Sequence, residues 1–295
     1  MQSKNVSFDK RNTIVTPIRD RFKAVWVSHS SISEFLKCPK AYYFANIYRD
    51  PNTNRKVTII NPHLALGQTI HEVLESLSFE PVEKRFDKSL VGRFERSWQK
   101  ISGIKGGFAS NDEEKKYKER GKEMLTRLMD NPGPLLNKAM KINKDKTDDL
   151  PYYWISEEEN IILCGKIDWL EYIPENDSVH IIDFKTGKNN ENDNSLQLPI
   201  YMLLVAHTQN RKISKVSYWY LDKSEVPQEM ELPKINESHK KILKVARMIK
   251  KARGSQQFKC SKDGCFRCEP YEKIIAGKAK FVGIGEYNKD VYIVE

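Results

Sequence analysis

Residues 165–188 read GKIDWLEYIPENDSVHIIDFKTGK, and the fold depends on how this stretch bends. Two runs rich in β-branched and aromatic residues flank Pro174-Glu175-Asn176-Asp177, a tetrad of turn formers. Counting outward from that turn puts Asp168 opposite Asp183 on an antiparallel pair, and Lys166 opposite Lys185. Lys185 lies two residues beyond Asp183 and so shares its face. Carboxylates opposed across a strand pair repel each other. At ~4 Å and an effective dielectric of ~20 the cost is about 4 kcal/mol. A divalent cation removes it, because it takes oxygen ligands and leaves room for water and a phosphate. The plainer reading is a surface ion-pair cluster with Lys166 and Lys185 as counter-ions, which contributes little. The neighbours Ile167, Trp169, Ile181, Ile182 and Phe184 favour the metal, since carboxylates in apolar surroundings are usually paired or metal-bound.

Outward from the hairpin, Leu196 to His207 has the pattern of a helix. Gln197 and Tyr201 are four residues apart and fall on one face. Pro199 is tolerated only in a first turn, which places both side chains at a helix N-terminus, a natural place to face phosphate. Leu64 to Phe79 is an amphipathic helix carrying His71; a lone histidine on a helix is more often structural or exposed. Tyr152 to Ile155, Ile161 to Ile173, Val179 to Phe184 and Val216 to Leu221 read as strands. Ser31 to Tyr48 reads as two short helices parted at Pro39. Residues 80–150 are charge-rich and read as a helical insertion. In it, Asn111-Asp112 caps a helix that runs to about Asp130 and stops at Asn131-Pro132-Gly133-Pro134. Residues 1–27 read as an irregular lead-in and 28–295 as a single domain. Helices, then strands, then a helix and a strand give the α/β class.

The chain has 295 residues, 39% of them hydrophobic, with 50 basic against 40 acidic, a net charge of +10 and a pI near 9.2. That surplus favours a polyanion, nucleic acid first. Ser238 to Arg253 adds a basic helix with Lys240, Lys241, Lys244, Arg247, Lys250, Lys251 and Arg253 against an apolar face. It reads equally as a solvated face or as a phosphate-tracking surface. No apolar run approaches the ~18 residues of a membrane helix, and the N-terminus lacks a signal-peptide core, so a cytoplasmic protein is expected. No G-x-x-x-x-G-K-[ST] loop is present, so no helicase motor is expected in this chain.

Five cysteines stand at 38, 164, 260, 265 and 268. Cys260-x4-Cys265-x2-Cys268, beside Gly264, is a metal-binding spacing that needs a fourth ligand. Cys164 sits in the apolar run Ile161-Ile162-Leu163 and reads as a small buried hydrophobe. Cys38 lies outside any core stripe. The spacing admits a [2Fe–2S] cluster or Zn2+.

Asp168 followed by Asp183-Phe184-Lys185 resembles the D…(D/E)-x-K signature of the PD-(D/E)XK nucleases. Gly67 to His71 (G-x-x-x-H), Gly165 to Asp168 (G-x-x-D) and Gln197 to Tyr201 (Q-x-x-x-Y) are similar to motifs of the RecB-like branch. Ser31-x-Ser33-x4-Cys38-Pro39-x2-Tyr42 resembles the early cysteine motif of its iron–sulfur members, the AddB nuclease domain and the CRISPR-adaptation nucleases. The resemblance implies a restriction-endonuclease-like fold: a central mixed β-sheet flanked by helices, with a helical insertion and a C-terminal cysteine segment, 258–270, joined to Cys38. It implies Mg2+ or Mn2+ held by His71, Asp168, Asp183 and the Phe184 carbonyl. Lys185 would orient or activate water, and Gln197 and Tyr201 would position substrate. It implies a [4Fe–4S] cluster on Cys38, Cys260, Cys265 and Cys268. The activity implied is exonucleolytic, on single-stranded DNA or free ends, in recombination, repair or CRISPR adaptation, alongside a separate helicase or CRISPR-adaptation partner. Two other readings compete: a non-catalytic DNA-binding subunit that kept the fold, which the intact Asp168, Asp183 and Lys185 argue against, and a zinc-stapled interaction protein.

Overall fold

The computed structural model describes residues 20–142 and 150–294. Its hairpin forms where the turn residues dictate. Pro174–Asn176 make one 3-10 turn, and Asp177 closes it in the left-handed region at φ 47°, its N–H bonded to the Pro174 carbonyl at 3.4 Å. This joins β5 (Trp169–Ile173) to β6 (Ser178–Lys185). Trp169 faces Ile182 and Ile173 faces Ser178, so Asp168, the residue before β5, comes opposite Asp183.

From β6 the chain crosses through α6 (Gln197–Thr208) to β7 (Lys212–Tyr220), which pairs parallel to β6, Lys185 beside Tyr220. β8 (Gln228–Met230) adds antiparallel to β7, completing a mixed sheet of order β5-β6-β7-β8. A second sheet has the order β1-β4-β3, from β1 (Val25–Val27), β3 (Tyr152–Ser156) and β4 (Ile161–Cys164). A third has the order β2-β10-β9, from β2 (Val57–Ile59), β9 (Lys280–Gly285) and β10 (Lys289–Ile293). The other helices are α1 (His29–Lys37), α2 (Pro39–Asn46), α3 (Pro62–Leu77), α4 (Leu90–Trp98), α5 (Asn111–Asp130), α7 (Ile235–Ser255) and α8 (Glu269–Ile275). This is the mixed α/β, restriction-endonuclease-like architecture expected from the sequence.

The β6 pattern is apolar on both faces, and both are covered. Val179 and Ile181 pack with α6 and with Ile242, Val245 and Ile249 of α7. Ile182 and Phe184, with Trp169 and Trp219, pack with Leu66 and Ile70 of α3, Phe94 and Trp98 of α4 and Leu125 of α5. Residues 80–142 therefore join α3 in one of the two layers on the sheet. Residues 143–149 of the stretch read as an insertion lie outside the described residues. A buried chain of polar contacts crosses the sheet: Asn137 to Glu171, Glu171 to His180 at 2.7 Å, and His180 to Ser217 at 2.7 Å. Ser217 is 1% exposed, so this serine–histidine–glutamate array joins strands and meets no substrate.

Four expectations are corrected. The run Ile161 to Ile173 is two strands, not one. It leaves the β1-β4-β3 sheet after Cys164 and joins the other at Trp169, passing α6 so closely that a Cβ on Gly165 would lie 3.0 Å from Leu204. Lys166, in that break, therefore pairs with Glu75 at 2.5 Å instead of facing Lys185. The lead-in is not wholly irregular: residues 1–19 lie outside the described residues, but Val25–Val27 pairs parallel with Ile161–Leu163. The cap of α5 is Ser110, whose hydroxyl accepts from the Glu113 amide at 3.2 Å; Asn111 is the first helical residue. The break at Pro39 falls where expected, and Cys38 there both ends α1 and caps α2, its Sγ accepting from Ala41 N–H at 3.4 Å.

Candidate active site and cysteine cluster

The open end of the hairpin meets the N-terminus of α6 and the middle of α3. There His71, Asp168, Asp183, Phe184, Lys185, Gln197 and Tyr201 line one cavity of about 450 Å³. Each is placed by its own element: the aspartates by the strand pair, Gln197 and Tyr201 by the first turns of α6, His71 by α3. Pro199 sits in that first turn, where it breaks no helical bond.

The contacts form a connected set. Asp168 Oδ2 accepts from the Phe184 amide at 3.0 Å, and its Oδ1 lies 3.3 Å from His71 Nδ1. Gln197 Nε2 donates to Asp183 Oδ1 at 2.6 Å and to the Tyr201 hydroxyl at 3.2 Å. Lys185 Nζ donates to Gln197 Oε1 at 2.5 Å and lies 2.9 Å from Asp183 Oδ2 and 3.0 Å from Glu191 Oε2.

The two aspartates are driven apart electrostatically. Burial, and then the Asp168 charge, push the Asp183 carboxyl up to about 7. Burial also pushes Asp168 up, but the His71 charge and hydrogen bond, with the Phe184 amide, outweigh it and hold Asp168 below the ordinary carboxylate range. Burial works against the charged form of His71, yet Asp168 raises it on balance. Burial lifts Tyr201 well above the usual phenol value, so it stays protonated.

These residues fit a divalent cation. Asp183 is 1% exposed, and its Oδ2 meets the Lys185 ammonium at 2.9 Å. Two carboxylates brought together in one cavity beside a lysine offer oxygen ligands to an oxygen-seeking ion. His71 pairs with Asp168. Among the described residues, one group gathers cysteine ligand atoms that all lie within 4.8 Å of one another.

That group is Cys38, Cys260, Cys265 and Cys268. Cys38 comes from the α1–α2 break and the others from the turn leading into α8. They pack against Ala41, Phe44 and Tyr271. Backbone hydrogen bonds from Cys268 and Arg267 bring Cys265 down to about 6, while burial lifts Cys268 to about 12. Four thiols so gathered suit a thiophilic metal or cluster. Cys265 and Cys268 stand 3.7 Å apart, close to the edge of a tetrahedron with metal–sulfur bonds of ~2.3 Å. Cys164 is buried elsewhere, its Sγ 3.5 Å from the Val27 carbonyl.

Sequence reading missed Glu191 and His29. Glu191 lies in a polar segment without periodicity, where nothing marks one carboxylate from the next. His29 opens α1 and lines the cavity; burial, and then the Lys185 charge, bring it down to about 4, so it is neutral near pH 7. Also missed was a cationic group. In the parallel register of β2 and β10, Lys289 comes beside Lys56. Burial, and then Lys289, Arg49 and Arg253, lower Lys56.

No helix among the described residues is long and apolar enough to cross a membrane. No curated protein sequence matches the chain. A family model described as the PD-(D/E)XK nuclease superfamily matches residues 26–273.

Proposed function

The chain belongs to the PD-(D/E)XK nuclease superfamily, and on that premise we propose that it is an exonuclease of the RecB-like branch that degrades single-stranded DNA from a free end. Metal-dependent cleavage of DNA is the activity of the superfamily. The observation that carries it is the meeting of Asp168 and Asp183 in one cavity with Lys185, whose ammonium lies 2.9 Å from Asp183 Oδ2.

Asp168 and Asp183 would hold Mg2+ or Mn2+, with the Phe184 carbonyl and His71 completing or bracing the set. When bound, the ion supplies Lewis acidity toward a phosphate oxygen and lowers the pKa of its water. Lys185 directs its ammonium at the attacking water and at charge developing on the phosphoryl oxygens. Gln197 holds Asp183, Lys185 and Tyr201 in register through three hydrogen bonds. The cavity of about 450 Å³ has room for a nucleotide at a strand end.

Supply of a polyanion is consistent with the charge distribution. Beyond burial, the charges of Lys289, Arg49 and Arg253 bear on Lys56 and lower it, which gathers positive charge for an anion to meet. On α7, Arg247 and Lys250 are tied to Glu159, while Lys240, Lys241, Lys244 and Lys251 are exposed. Recombination, repair or CRISPR adaptation, with a separate helicase or adaptation partner, is the setting the branch suggests.

For the cysteines the motif favours a [4Fe–4S] cluster. The 3.7 Å spacing favours the alternative of a single tetrahedral ion such as Zn2+, because a four-iron cluster holds its thiolates farther apart. Visible absorbance and metal analysis of anaerobically purified protein decide between them.

The test of the enzyme is digestion of end-labelled single- and double-stranded DNA with Mn2+. Wild type should shorten the single strand stepwise, and Lys185→Ala should fall by about 100-fold or more. Equal, negligible activity in both would leave a DNA-binding subunit in its place.

A further inference from the structure

Lys185 carries more counter-charge than an aspartate pair with a lysine requires. Its ammonium faces Asp183 on one side and Glu191 on the other, at 2.9 and 3.0 Å, with the Gln197 amide oxygen between. Glu191 belongs to the polar segment between β6 and α6, yet its backbone is pinned to the sheet. Its N–H donates to the Tyr220 hydroxyl at 3.0 Å, and Tyr220 is the parallel-register neighbour of Lys185. The carboxylate is therefore held at a place that the sheet defines.

Consider what loading a dication onto Asp183 does to this arrangement. The oxygen beside Lys185 becomes a ligand, and two positive charges arrive next to the ammonium. With Asp183 as its only anion, Lys185 would compete with the ion and then be repelled by it. Glu191 offers a second full negative charge, and it lies away from the Asp168–Asp183 pair in the sense that it contacts neither.

We propose that Glu191 is a positioning residue that takes Lys185 over from Asp183, freeing Asp183 to ligate the cation while the ammonium stays aimed into the cavity. This rests on the metal-dependent reading given above. No bond is made or broken by Glu191; its part is to hold one charge in place. Two equilibria are then linked, metal binding at Asp183 and the Lys185–Glu191 pair, and linkage of that kind is reciprocal.

The experiment is calorimetric titration of the full chain with Mn2+, for wild type, Glu191→Gln, Lys185→Ala and the double variant, alongside kcat and KM on a single-stranded oligonucleotide. Glu191→Gln should weaken Mn2+ binding about fivefold or more, the scale of ordinary coupling between sites, and lower kcat with little change in KM. In the Lys185→Ala background the same substitution should leave Mn2+ affinity unchanged, because no ammonium competes for Asp183. Glu191→Asp, which keeps the charge, should recover part of both losses. Wild-type Mn2+ affinity in Glu191→Gln, or an equal weakening with and without Lys185, overturns the proposal. Asp183→Asn titrated in parallel marks the other failure: if it binds Mn2+ like wild type, the metal site itself is wrong and this role goes with it.

Discussion

Asp183 is a buried carboxyl beside another carboxylate, and Lys185 and His71 only partly offset that cost, so it is lifted to about 7. Its folded value lies above its unfolded value of about 3.9, so the folded state holds the proton more tightly. The stability this lends is complete below about pH 4 and is lost as pH rises through 7. Metal-free protein should therefore weaken on this account between those limits. Asp183→Asn, which cannot ionise, should be more stable than wild type at pH 8 in EDTA, by roughly 1–3 kcal/mol of unfolding free energy, with the gap closing toward pH 4. The same variant should be inactive, and Mn2+ should raise the melting temperature of wild type only. Asp168, Asp183 and Lys185 were legible in the sequence because a local turn sets their register. Glu191 was not, because its partner is chosen by the path of a polar segment, for which composition holds no period.

At the scale of elements, the hairpin and the α1–α2 break could be read because Pro174 and Pro39 act on their own neighbours. The division of Ile161 to Ile173 could not, because an apolar run looks the same whether it serves one sheet or two; the distant partners β1 and β6 decide. The packing of α3, α4 and α5 likewise rests on a position without sequence signal. A Cβ on Gly121 of α5 would lie 2.4 Å from Phe94 and 2.9 Å from Leu66, both fully buried. Ordinarily alanine gains about 1 kcal/mol over glycine within a helix. Here the clash should reverse the sign, and Gly121→Ala should lose roughly 1–3 kcal/mol in urea denaturation. A gain instead would mean that the helices stand farther apart. Such a loss would also reach the site, because Arg120 beside it donates to the Thr186 carbonyl at 2.6 Å, one residue past Lys185.

Across the whole molecule, the cysteines join chain segments that no hairpin or helix could bring together, Cys38 before the nuclease sheet and Cys260 to Cys268 after it. The late triplet was visible as spacing. The choice of Cys38 over Cys164 came from burial context and resemblance, and the structure places Cys38, not Cys164, with the triplet. Cys38→Ala should abolish metal or cluster loading and cost about 2–5 kcal/mol, the range for losing a long cross-link, read as a lower melting temperature with altered absorbance or metal content. An unchanged melt and metal content would make the thiols incidental. The catalytic account stands apart from that outcome and rests on one ion between two aspartates. Anomalous diffraction at the manganese edge, from crystals soaked in Mn2+, tests it most directly. The account predicts a peak within bonding distance of both Asp168 and Asp183 that disappears in Asp183→Asn; a well-ordered wild-type site without that peak would contradict it.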